Sequence, residues 1–424
     1  MASLMQGEQG PAADNVIKVL LGLLILWRYV RQIVHLVAFW RYKPAEPMAN
    51  PPLRGKDVTI LIPTIDPTNK YFRAGLLSAL SNRPRKVNLK ATKVVVMAAE
   101  KTGKRQQLVA GLAEVTTSII ALMDDHVLWR PDFLTYALPA FYRDASVGLV
   151  ATNKRVIRDT GNSFMDRIIN MIQCLYLERH NFEIRSSNVV DGAVFVVSGR
   201  TSLIRSEIFK DQEFLDTYLN EKLFGRIGPL GVDDDNCLTR WVYAHGWTVK
   251  VQYRDETLVH TDLGSVNKFS GGLIRWARTT WRSNTVSLTS KHIWRSQTWA
   301  VYGTYMAMLT NFALFYDIVL AALFLLSDLS GDLRGAGPWT TAKALLPLFV
   351  WVAFFKAIKP FAYFWRNPQD VFLIPFYWAF TYLHSFIKLR ALVTFYDVAW
   401  TGRKLDNLNG DQAQPREKDK SIAN

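Results

Sequence analysis

Cysteine is nearly absent: Cys174 and Cys237 are the only two in 424 residues. That excludes a disulfide framework and a Cys-based zinc site, and it fits a domain that folds in a reducing compartment. Acidic residues are in deficit as well, 36 against 51 Lys and Arg, for a net charge of +15. No internal repeat is visible. The one low-complexity stretch is the polar tail after Arg403, read as disordered. The start carries Glu8 and Asp14 in place of a basic n-region, and no small-residue cleavage site follows. The first apolar run therefore reads as an uncleaved anchor, not a signal peptide.

Apolar residues make up 49% of the chain, with 14 Trp and 24 Phe, heavy for a purely soluble protein. After a polar tail over 1–14, the run 15–42 is long enough to span a bilayer of roughly 30 Å, although Arg28 and Arg31 interrupt it. The blocks 298–327 and 341–365 read as two further transmembrane helices. The block 371–399 holds Pro375, His384, Lys388 and Arg390, and reads as a helix that enters the membrane or lies on it. Lys and Arg gather after the first run (Arg41, Lys43, Arg54) and in the tail (Lys404, Arg416, Lys418, Lys420), which puts both on the cytoplasmic side and the linker Ser327–Gly337 outside.

Over 55–262 short β-rich runs alternate with helical stretches: "DVTILIPT", "KVNLKATKVVVMA", "SIIALMDD", "VGLVATN", "AVFVVSG" and "WTVKVQY". This alternation predicts an α/β domain with a mainly parallel sheet, whose ligands bind beyond the carboxyl ends of the strands. Polar signatures fall at those ends. Thr64 and Asp66 close the first strand, and Asp124, Asp125 and His126 close "SIIALMDD". Hard oxygens with an imidazole suit Mn²⁺ or Mg²⁺ bridging two phosphates, though the same triplet could cap the next helix. Lys104 and Arg105 stand beside Gly103 at a helix start, either a phosphate contact or a solvated face. "GGLIRWARTTWRSN" (271–284) is a basic amphipathic helix. Its Arg275 and Arg282 could clamp a diphosphate while Trp276 offers a stacking surface, and the helix also suits a membrane interface over 263–297. "GVDDDNCLTRW" sets Asp233, Asp234 and Asp235 side by side, three like charges that raise proton affinity unless the stretch is a solvated turn.

Taken in order, these motifs resemble the membrane-embedded processive glycosyltransferases of family two, chiefly hyaluronan synthases, fungal type 2 glycosyltransferases and capsular polysaccharide synthases. The resemblance implies a GT-A-like fold and inverting transfer from a UDP-sugar to a growing glycan that leaves through the membrane lipid, in the plasma membrane. It implies Asp124 and His126 as metal positions, with Asp125 assisting, and Asp235 as general base, helped by Asp234. Asp233 falls on a family Gly and reads as a solvated turn. "VVSGRTSLIR" resembles the segment lining the acceptor site, giving Ser198, Gly199 and Trp276 as acceptor contacts. Trp400, Thr401 and Arg403 resemble a gating loop over the donor, spanning 400–404 and followed by the tail 405–424. Two positions depart from the family: Gly272 replaces the Gln before Arg275-Trp276, and "KVVVMAAE" lacks the Asp that reads uracil, leaving that task to Asp66 or backbone. A non-processive transferase acting on a polyprenyl phosphate is the rival enzyme reading. A basic scaffold or nucleic-acid binder would fit the charge, but membrane-side Lys and Arg account for it, so no nucleic-acid partner is expected.

Overall fold

The computed structural model describes residues 11–82, 93–101, 103–159, 161, 163–333 and 338–398. Trp400, Thr401 and Arg403 and the expected tail lie outside the described residues, as does most of the segment 1–14. The described strands are β1 (Val58–Leu61), β2 (Ile119–Met123), β3 (Val127–Leu128), β4 (Val147–Thr152), β5 (Lys154–Val156), β6 (Thr201–Arg205), β7 (Thr248–Gln252) and β8 (Val259–Thr261). The main sheet has the order β1-β2-β6-β4-β7, and a small one the order β3-β8-β5.

The main sheet is mixed and not mainly parallel: β1 with β2 and β4 with β7 are parallel, but β6 runs antiparallel to both β2 and β4. The reason lies in burial. Successive residues of a strand face opposite sides, and here both sides are covered. Ile120, Leu122, Leu149 and Ile204 enter one apolar cluster, and Ile119, Ala121, Met123, Val150 and Leu203 enter another. A strand buried on both faces is a continuous apolar run whichever way it points, so the sequence carries no sign of β6's direction.

Two expected strands are absent. Lys93–Ala98 has no strand, and the rest of "KVNLKATKVVVMA" lies outside the described residues. Ala193–Gly199 is irregular because its amides are taken by side chains. Val194 N–H donates to the Tyr243 hydroxyl at 2.9 Å and Val197 N–H to Thr239 Oγ1 at 3.0 Å.

The helices that shape the site are α1 (Pro11–Arg41), α2 (Lys70–Leu80), α3 (Lys104–Gly111), α4 (Phe164–Asp191), α5 (Asp234–Ala244), α6 (Val266–Thr289), α7 (Thr298–Thr310), α8 (Ala313–Leu326), α9 (Pro338–Ile358) and α10 (Ile374–Val393). α4 starts on a side-chain cap, in which Ser163 Oγ accepts from Asp166 N–H at 3.1 Å and donates to the Asp166 carboxylate at 2.7 Å. It ends at Gly192, whose φ of 78° only glycine adopts without strain. α1 packs along α4, where His35 Nδ1 meets the Glu183 carboxylate at 3.0 Å and Arg31 reaches it at 3.4 Å.

Among the described residues one helix, α9, is long and apolar enough to cross a membrane. The block 298–327, expected as one span, is broken: α7 and α8 meet at 93°. Lys388 explains the break, since its Nζ donates to the carbonyls of Met308 at 2.7 Å and Asn311 at 2.8 Å, taking the acceptors at the end of α7. The block 341–365 also divides, because Pro360 cannot supply the amide that would continue α9.

Candidate active site

The antiparallel pairing of β2 with β6 builds the site. Met123 lies opposite Thr201, so the tip of β2 and the loop entering β6 emerge at the same edge. Asp124 N–H donates to the Arg200 carbonyl at 2.9 Å, which sets Ser198 and Gly199 beside the acidic tip. α3 approaches from β1's side. Its first residue, Lys104, places Nζ 2.8 Å from Asp124 Oδ1 and 3.2 Å from Asp234 Oδ2. One ammonium thus joins the strand-end acid to the acidic triplet.

Gly199 sits where a side chain would displace the Lys104 ammonium. A Cβ there would come within 2.9 Å of Lys104 Nζ and 3.5 Å of Asp235 Cβ. Its N–H instead donates to Asp235 Oδ2 at 3.1 Å. Asp235 Oδ1 accepts from the N–H and Nδ2 of Asn236 at 3.0 and 3.1 Å. Burial first and the neighbouring Asp234 second raise the Asp235 pKa, against the pull of Lys104. At Asp124 burial opposes ionisation, but Lys104 and His126 outweigh it and hold the carboxyl below its ordinary range.

Thr64 Oγ1 donates to Asp125 Oδ2 at 2.9 Å, and the other Asp125 oxygen meets His126 Nδ1 at 2.9 Å. No three His, Cys, Asp or Glu side chains among the described residues come together to hold a metal unaided. The donor set still suits Mg²⁺ or Mn²⁺, which take one or two protein ligands and fill the shell with phosphate oxygens and water. Asp124 would supply a charged oxygen. His126, fixed through Nδ1 by Asp125, would offer Nε2 in the carboxylate–histidine–metal pattern.

A cavity of about 640 Å³ opens over these groups, lined by Thr64, Lys104, Asp124, Asp125, His126, Ser198, Gly199, Asp234, Asp235, Arg275 and Trp276. It continues to Met308 and Asn311 at the break after α7 and to His384 and Lys388 on α10. Trp276 stacks on Tyr176 with ring centroids 5.2 Å apart, and the Arg200 guanidinium lies 5.3 Å from the Trp276 ring. Tyr176, Arg179, His180 and Glu183 also line the cavity and escaped the sequence reading. Their i, i+3, i+4, i+7 spacing on α4 was the available signal.

Three expected donor contacts lie elsewhere. Arg105 is buried and points away from the cavity, bonding Glu221 at 2.7 Å and the Val232 carbonyl at 2.7 Å, because its side chain leaves the helix about 100° round from that of Lys104. Asp66 is exposed and closes its own turn, accepting from Thr68 N–H at 3.0 Å. Arg282 is buried against Asp233, with Nε 2.6 Å from Asp233 Oδ2 and Nη2 3.2 Å from Oδ1. Asp233 is accordingly no solvated turn: it is 5% exposed.

Residues 85–288 match the family described as glycosyltransferase like family 2. A type 2 glycosyltransferase of Pyricularia oryzae is 33% identical over 400 residues, covering 89% of this chain and 81% of the relative. One from Gibberella zeae is 34% identical over 408 residues, covering 91% and 76%. An NDP-glycosyltransferase of Aspergillus luteorubrus is 28% identical over 291 residues, 62% of this chain and 69% of its own length. In structure, a Pyrobaculum calidifontis mannosyltransferase solved with GDP-Man and Mn²⁺ aligns with a TM-score of 0.52 at 16% identity, over 88% of this chain and 99% of its own, a likeness of fold alone. An acidic strand tip, a lysine joining it to a second acidic cluster and relatives spanning nearly the whole chain place this protein among the type 2 glycosyltransferases, enzymes that transfer a sugar from a nucleotide donor.

Proposed function

We propose that this glycosyltransferase is inverting and processive, taking a UDP-sugar, adding it to a growing glycan and passing the product out through its helical region. One observation carries the reading: a single cavity joins Asp124, Lys104 and Asp235 to Met308, Asn311 and His384 among the apolar helices. The Trp276–Tyr176 stack gives an acceptor sugar a face to lie on. Asp235 takes the acceptor hydroxyl proton, and Asp234 raises its basicity. Lys104 and Arg275 counter the charge that develops on the leaving diphosphate. A divalent ion on Asp124 and His126 would add Lewis-acid stabilisation of that diphosphate when bound. One base and one leaving-group site suffice for a single displacement, which inverts the anomeric centre.

Membrane residence is supported by apolar side chains left exposed on several helices. These include Leu23 and Ile33 of α1, Ile318 and Val319 of α8, Phe349 and Phe354 of α9, and Leu383 and Phe386 of α10. In this reading α1, α9 and α10 contact lipid, α6 lies at the interface, and the sheet domain faces the cytoplasm at the plasma membrane. The rival acceptor, a polyprenyl phosphate, gains support from Arg179, Lys359 and Lys388 in the cavity wall. The test incubates purified full-length protein in detergent with single radiolabelled UDP-sugars and Mn²⁺, and then sizes the product. A polymer that lengthens with time supports processive synthesis, and one labelled sugar in the organic phase supports the lipid acceptor. No transfer from any UDP-sugar overturns the donor assignment.

A further inference from the structure

An aspartate at the start of a helix ordinarily caps it, its carboxylate accepting from the free N–H groups of the first turn. Asp233 occupies that place on α5 and does not do this. Its backbone is left-handed, φ 62° and ψ 30°, a conformation strained for any residue but glycine. Its carboxylate turns instead to α6, where it accepts from the Thr279 hydroxyl and is held by both Nε and Nη2 of Arg282. The pair is dry: Asp233 is 5% and Arg282 2% exposed.

The remaining edge of the Arg282 guanidinium points the other way, toward the segment after α10. Nη1 donates to the carbonyls of Phe395 at 2.8 Å and Asp397 at 3.2 Å. One turn away on α6, Arg278 donates from Nε to Thr394 Oγ1 at 3.0 Å and pairs with the Asp397 carboxylate at 2.7 Å. Residues 394–397 are thereby strapped to α6, and the next residue, Val398, lines the cavity. A single buried side chain thus grips both the residue preceding Asp234 and Asp235 and the strap that leads to Val398 in the cavity wall.

From this geometry we infer that Arg282 is a positioning residue that couples the 394–398 strap to the first turn of α5, so that Asp234 and Asp235 are aligned only while the strap is docked. Asp233 is the transmitting partner. A planar fork is needed, because it must satisfy a carboxylate on one edge and two carbonyls on the other, which a lysine ammonium cannot do in the same plane. The inference rests on the glycosyltransferase reading for its kinetic consequence, but the coupling itself is measurable without turnover.

The decisive variant is Asp233→Gly. Glycine relieves the left-handed backbone while removing the carboxylate, so the strain it releases offsets part of the cost of leaving Arg282 unpaired, and the link is lost. Hydrogen–deuterium exchange on the full-length protein in detergent should show faster exchange across 390–398, far along the chain from the substitution, in excess of any change across the strands of the main sheet. Transfer assays should show kcat down by about 10²-fold, the scale of a small misalignment of reacting groups, with the donor KM within about 3-fold. Arg282→Lys should reproduce both effects, since a charge without the fork does not restore the link. Unchanged exchange at 390–398 in Asp233→Gly overturns the coupling whatever the enzyme's donor proves to be. Faster exchange with wild-type kcat overturns the positioning role while leaving the sugar-transfer reading intact.

Discussion

In the proposed mechanism Asp235 works as a base only when ionised, and its pKa is raised by burial and by Asp234. The transfer rate should therefore be full above that raised value and fall as pH drops through it, on an acidic limb lying above the ordinary carboxylate range near about 4. Asp234→Asn removes one of the charges responsible, so the limb should move to lower pH. A rate–pH profile in which the two proteins superimpose would count against Asp235 as the base. Asp235→Asn itself should lower kcat by roughly 10²–10⁴ with donor affinity within a few-fold, measured by calorimetry beside initial rates. Gly199→Ala probes the same spot from the backbone side. Its methyl would press on Lys104 Nζ at 2.9 Å, so the Lys104 bridge must shift and transfer should drop with little change in melting temperature.

At the scale of elements, the break between α7 and α8 is held by a lysine that donates to the end of α7 from another helix. Lys388→Met should leave part-buried carbonyls without their donor and cost about 1 kcal/mol, read as a lower melting temperature in detergent. Nothing in the run Thr298–Ser327 announces this break, because its cause lies some 80 positions away, in the Lys388–Met308 bond. The same distinction separates what the sequence revealed from what it hid. The strand tips bearing Asp124 and Thr64 and the helix bearing Arg275 and Trp276 were legible, since local periodicity and composition fix them. The direction of β6, the turning away of Arg105 and the pairing of Arg282 with Asp233 were not, since each depends on a partner remote in sequence. The face of α4 carrying Tyr176 and Arg179 was legible in principle through its helical spacing.

For the whole molecule, Glu183 is the joint between sheet domain and helices: on α4, it receives Arg31 and His35 from α1 and Lys359 from the turn after α9. Glu183→Gln would leave buried cations without their carboxylate, a loss of about 3–5 kcal/mol, and should separate unfolding of the helices from that of the sheet in a thermal scan. The exposed apolar faces of α1, α8, α9 and α10 lead to a further expectation: the protein should pellet with membranes through a high-salt wash and leave them only in detergent. Lys104 carries a consequence of its own. By sitting between Asp124 and Asp234 it gives these acids a counter-ion encoded in the chain. With a divalent ion on Asp124 and His126 as proposed, chelation should silence transfer while leaving the melting curve where it was, and adding the ion back should restore transfer at once, with no refolding delay.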